Sequence, residues 1–103
     1  MSENSPVITV SIEQDVEKQL TRMHKVIMHN DDTTSAELVV VILMQIFSYS
    51  TTDAAQIMLD VHNHGAAMIG VYPENEAEEK SLQAMALARA NGYREFLVTH
   101  EEY

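Results

Sequence analysis

Three polar groupings in this 103-residue chain combine residue types and positions that suit chemistry: the run Asn30-Asp31-Asp32, then His62 and His64. Carboxylate and amide oxygens accept hydrogen bonds from an ammonium group, most strongly where the acceptor is ionised. His62 follows Met58 by four positions, so on a helix an apolar side chain and an imidazole share one face. An apolar pocket with such a rim suits a ligand that joins a cation to a greasy side chain, as a free protein N-terminus does. Blander accounts stand beside this one. An Asn-Asp-Asp run is good turn chemistry and favours a following helix dipole, and a single histidine is often a satisfied boundary residue.

Other chemistries fit poorly. There is no cysteine, which removes disulfides, thiolate catalysis and cysteine-ligated metal centres, and no serine lies in a G-x-S-x-G setting. His29, Asp31, Asp32, His62 and His64 include metal donors. However, a spacing of two points His62 and His64 about 200° apart on a helix, so a catalytic zinc centre, and any other metal or cofactor, is not expected. His62-Asn63-His64 shares only its letters with the nuclease motif of that spelling. The chain has three glycines and no Gly-rich phosphate loop. A formal charge of -10 opposes nucleic acid and anionic membranes. No run approaches the roughly 20 apolar residues of a membrane span, and the N-terminus lacks a signal-peptide pattern. These features predict a cytoplasmic, monomeric protein and not an enzyme. Lys80 and Arg89 read as solvated charges, and Met44, Met68 and Met85 as fillers of core gaps.

The positioning elements follow from local pattern. Residues 1–23 are polar and acidic and predict a flexible extension, although Ile8, Val10 and Ile12 would share one face if extended. Residues 24–103 predict one compact α+β domain in the order β-α-α-β-α-β. Lys25-Val26-Ile27-Met28-His29 reads as a strand that enters the Asn30-Asp31-Asp32 turn. Thr34-Ser35-Ala36-Glu37 fits a capping box, with Thr34 as cap, opening a helix to about Phe47. Its apolar run Leu38 to Met44 predicts burial on several sides. Thr51-Thr52-Asp53 opens a second helix that closes at Gly65. Ala66–Val71 is a strand broken by Pro73, Glu74-Asn75-Glu76 starts a third helix ending at Asn91-Gly92, and Glu95–Thr99 is a last strand before an acidic tail.

Taken in order, Lys25 to Asp32, Ile57-Met58-Leu59-Asp60-Val61-His62, Gly65, Gly70-Val71-Tyr72, Ala77-Glu78-Glu79-Lys80 and Ala88-Arg89-Ala90-Asn91-Gly92 resemble the ClpS adaptor family of the Clp protease. The resemblance spans about residues 24 to 100. It implies a three-stranded antiparallel sheet packed on three helices, and an adaptor that delivers proteins with a destabilising N-terminal residue to a Clp AAA+ unfoldase. On that resemblance Asn30, Asp32 and His62, with Asp31 beside them, hold the substrate's α-amino group. Thr34, Ala36, Val39, Met58, Val61 and Phe96 surround its first side chain. Lys80 matches a residue that docks on the unfoldase's N-terminal domain, and the N-terminal extension matches a segment used in substrate hand-off. The chain departs from the family at Thr33-Thr34-Ser35-Ala36, where Ala36 replaces a methionine that gates the pocket against β-branched side chains. A bulky hydrophobic first residue (Leu, Phe, Tyr or Trp) remains the expected ligand, with altered discrimination. The alternatives are a divergent adaptor that regulates the protease's substrate choice with a changed ligand, and a small metal-dependent hydrolase.

Overall fold

A computed structural model describes residues 22–103. The extension expected for residues 1–23 therefore lies, save for Arg22 and Met23, outside the described residues. Strand β1 (Met23–His29) is followed by helices α1 (Ala36–Gln45) and α2 (Thr51–His64), strand β2 (Ala66–Pro73), helix α3 (Glu74–Ala90) and strand β3 (Leu97–Glu102). The predicted β-α-α-β-α-β order is the observed one. The sheet is antiparallel in the order β2-β1-β3, so the first strand of the domain is its centre.

Side chains alternate across a strand, and here one set meets the helices. Val26 and Met28 of β1, Ile69 of β2 and Val98 of β3 are buried against Ile42 and Leu43 of α1, Ala54 and Val61 of α2, and Ala77, Ala84 and Ala88 of α3. The alanine stripe on α3 lets that helix sit close to the sheet. The β1–β2 register passes from Val26↔Gly70 to Ile27↔Met68, so Ile69 is the additional residue of a bulge and turns into the core. Gly70 is required by a close approach: a Cβ there would lie 2.6 Å from the Tyr72 ring.

Several local expectations shift. Ser35, not Thr34, caps α1, its Oγ accepting from the Leu38 N–H at 3.2 Å, because the Thr34 hydroxyl is engaged by Asp31 instead. With the cap one residue later, Glu37 no longer occupies the capping-box position. Helix α1 buries one face only; Val41 and Met44 are exposed, as is Met68, so Met44 and Met68 do not fill the core. Met68 sits opposite Ile27, whose neighbours Val26 and Met28 point to the helices, and thus belongs to the other face of the sheet. Strand β3 begins at Leu97, two residues later than expected, and runs into the acidic tail. Its Glu101 pairs with Lys25 across the ladder, where the two charges lie 3.4 Å apart.

Candidate functional site

The site lies where the C-terminal end of β1, the N-terminus of α1 and the C-terminal half of α2 converge. Gly65 closes α2 in the left-handed region (φ 86°), its N–H bonded to the Val61 carbonyl at 2.9 Å. The Gly65 carbonyl then accepts from the Asn30 N–H at 2.9 Å, which fixes the residue after β1 beside the last turns of α2. This one backbone bond brings the Asn30-Asp31-Asp32 turn to His62, thirty-two positions away in sequence.

A cavity of about 260 Å³ opens there, lined by His29, Asn30, Asp31, Asp32, Thr34, Ala36, Val39, Met58, Val61, His62 and Phe96. All ten residues singled out from the sequence for the rim and the pocket are thus gathered at one place. Asn30, Asp32 and His62 are exposed at the mouth, whereas Val39, Val61 and Phe96 are buried and form apolar wall. Phe96 reaches the cavity from the residue just before β3. The volume is below the roughly 300–1,000 Å³ usual for small-molecule pockets, so the space suits one side chain and not an extended ligand.

The two aspartates are not equivalent. The Asp31 carboxylate accepts from the Thr34 hydroxyl, from the Thr33 hydroxyl at 3.0 and 3.1 Å, and from the Thr33 N–H at 3.2 Å. These bonds, the Thr34 hydroxyl first, hold its carboxyl below the usual value of 3.8. Asp31 therefore braces the turn from within. Asp32, exposed at the mouth, is the carboxylate that a ligand can reach. The Thr34 hydroxyl is likewise engaged by the brace.

His29 lines the cavity without having been assigned a place in it. Its Nε2 lies 2.8 Å from the Thr99 hydroxyl, which orients the ring from β3. In the sequence His29 groups with Asp31, Asp32, His62 and His64 as a possible metal donor, and its position next to Asn30 at the end of β1 is the signal for a place at the cavity. Lys80 is neither in the pocket nor freely solvated. Its ammonium donates to the Ile46 carbonyl at 3.1 Å, lies 3.7 Å from Glu76, and sits 5.3 Å from the centroid of the Tyr72 ring. It satisfies a carbonyl at the end of α1 and so ties α1 to α3. His64 bonds the Asp60 carbonyl at 3.0 Å, on its own helix. Among the described residues no three histidine, aspartate or glutamate side chains are placed to hold a metal ion, and no helix is long and apolar enough to cross a membrane.

The described residues thus form a small α+β domain with a cavity whose mouth carries exposed carboxylate, amide and imidazole groups. Comparison with known proteins gives it a family. The family model for the ATP-dependent Clp protease adaptor protein ClpS matches residues 19–98. The ClpS of Clostridium acetobutylicum is 40% identical over 83 residues, covering 81% of this chain and 82% of its own. That of Nitratidesulfovibrio vulgaris is 43% identical over 84 residues, covering 82% and 79%. Among solved structures, Agrobacterium tumefaciens ClpS2 bound to L-phenylalaninamide superposes with a TM-score of 0.77 at 30% identity, over 81% of this chain and 99% of that one. The chain belongs to the ClpS family, the non-catalytic adaptors of the Clp protease.

Proposed function

We propose that the cavity receives the free α-amino group and first side chain of proteins that begin with a bulky hydrophobic residue, Leu, Phe, Tyr or Trp. The adaptor then hands these proteins to a Clp AAA+ unfoldase. The observation that carries this reading is the pairing of an apolar single-side-chain cavity with exposed Asn30, Asp32 and His62 at its mouth. Asn30 and Asp32 supply acceptor oxygens and His62 a ring nitrogen, so an ammonium finds three partners, two on the turn and one on α2. Asp31 acts beside them by holding the turn. Thr34, Ala36, Val39, Met58, Val61 and Phe96 surround the side chain. The Agrobacterium relative supports the reading, since L-phenylalaninamide carries a free amine next to a phenyl side chain and has no carboxylate to repel the aspartates.

Specificity is set at Ala36. It is exposed as the first residue of α1 and lines the cavity with a single methyl, which leaves room for side chains branched at Cβ. Ile and Val are then admitted beside the four usual residues. Lys80, held by Ile46, Glu76 and the Tyr72 ring, presents a fixed cation on α3, which suits docking on the unfoldase's N-terminal domain. The segment ahead of β1 serves the hand-off, and the folded domain begins with β1 at Met23, one residue earlier than the expected boundary at residue 24, because Met23 pairs with Pro73 in the sheet.

The test is fluorescence anisotropy with peptides that differ only in residue one (Leu, Phe, Tyr, Trp, Ile, Val, Ala, Arg), with an N-acetylated Leu control. Selective binding of the hydrophobic set, abolished by acetylation, is the expected result. Equal binding of the acetylated peptide, or none to any free N-terminus, overturns it.

A further inference from the structure

A second cluster of ionisable side chains lies at the opposite end of β1, roughly 20 Å along the strand from Asn30. His24 pairs with Glu102 and His100 with Val26, so the two rings are diagonal neighbours on the face of the sheet that meets the helices. Their Nδ1 atoms are 2.9 Å apart and their ring centroids 5.1 Å apart. The His24 side chain is 15% exposed, and its Nε2 lies 3.9 Å from Glu74 Oε2 at the start of α3. One turn on, Glu78 lines the same groove as His100.

From this geometry we infer that His24 and His100 form a two-imidazole site for a divalent transition metal, Zn2+ or Cu2+, with Glu74 backing the His24 ring. Two nitrogens on one ion at bond lengths of about 2.05 Å are about 2.9 Å apart at a right angle and about 3.3 Å apart at the tetrahedral angle. The observed 2.9 Å already meets that requirement, and the ladder between β1 and β3 fixes both Cα positions. The rings need only turn about their side-chain bonds for the lone pairs to converge. In the free pair one Nδ1–H donates to the other Nδ1. When the ion enters, that ring carries its proton on Nε2 instead; for His24 the Glu74 carboxylate, 3.9 Å from Nε2, must move a few tenths of an ångström closer to accept a hydrogen bond from it, the usual support behind a metal-bound imidazole. No third side chain among the described residues reaches the ion, so water completes its shell and Cu2+ binds more tightly than Zn2+. The two histidines are 76 positions apart, which is why no motif in the sequence announces them.

The full chain is titrated with Zn2+ and separately with Cu2+, following the imidazole resonances for Zn2+ and the nitrogen coordination by electron paramagnetic resonance for Cu2+. One equivalent shifts the ring signals of His24 and His100 together and leaves those of His62 and His64 in place. His24→Gln and His100→Gln each weaken binding by about tenfold or more, while His64→Gln binds as before. The metal raises the melting temperature of the unsubstituted protein and not that of His24→Gln. Unmoved His24 and His100 signals, or unchanged affinity in either variant, overturn the inference. If a variant fails to fold, the ring signals of the unsubstituted protein decide the matter.

Discussion

Replacing Asp32 separates the charge at the cavity mouth from the scaffold that holds it. An ammonium about 3 Å from a carboxylate gains ~1.4 kcal/mol at the permittivity of water and ~5.5 kcal/mol at the effective value of ~20 found near protein surfaces. Asp32 is exposed, so solvent and salt pull the net value toward the lower end, in line with the ~1.5–3 kcal/mol measured for hydrogen bonds to charged groups. Asp32→Asn keeps the size and one acceptor oxygen, and weakens binding of a Leu-first peptide by roughly tenfold. Asp32→Ala removes both and approaches the roughly 150-fold that the upper figure implies. Neither change touches the bonds within the turn, so the urea midpoint stays put. The assay is anisotropy of a peptide labelled at its far end, beside the N-acetylated form. A change below about twofold for Asp32→Ala refutes the assignment of Asp32 to the ammonium, on the same energy scale.

Ala36→Met refills the cavity mouth, and because one methylene in an apolar pocket is worth ~1–3 kcal/mol, it reduces binding of Ile- and Val-first peptides at least about tenfold while sparing Leu and Phe. Equal losses for all four peptides contradict the placement of Ala36. Asp31→Asn destabilises the turn, with a pH signature. The folded carboxyl titrates below its unfolded value of 3.8, so its stabilising contribution is whole above that pH and is lost as pH falls through the depressed folded value. The difference in urea midpoint between the protein and Asp31→Asn therefore shrinks below about pH 4. Met28, with 0% exposure at the centre of the sheet, leaves a cavity when cut to alanine and costs ~2–5 kcal/mol in chemical denaturation.

Much of this protein was legible before any coordinates. The number, kind and order of elements follow from short-range physics: Gly65 ends a helix because its φ is positive, and Pro73 ends a strand, whereas the cap of α2, expected within Thr51-Thr52-Asp53, is Ser50, whose hydroxyl accepts from the Asp53 N–H. Of the cavity's residues, Asn30, Asp31, Asp32, Met58 and His62 were legible from residue type and helical spacing, and Thr34, Ala36, Val39, Val61 and Phe96 by resemblance. What failed was competition between near-equal local choices. Thr34 and Ser35 both fit the cap by residue type, and only the demand of Asp31 for the Thr34 hydroxyl assigns the cap to Ser35. An all-apolar run in α1 could not say which of its sides would face water, because that depends on which neighbours pack against it. Lys80 reads as a solvated charge until the carbonyl of Ile46, thirty-four positions away, is found above it.

Sequence alone determined the elements, the turn chemistry and the stock of acceptors and apolar side chains, since each of these is settled within a few residues of chain. Tertiary structure decided which of them meet. The bond from Asn30 to Gly65 brings a turn to a helix end, the bulge at Ile69 sets the faces of the sheet, and the ladder between β1 and β3 places His24 against His100. Those choices rest on register and on contacts between residues far apart in sequence, and no local pattern encodes them.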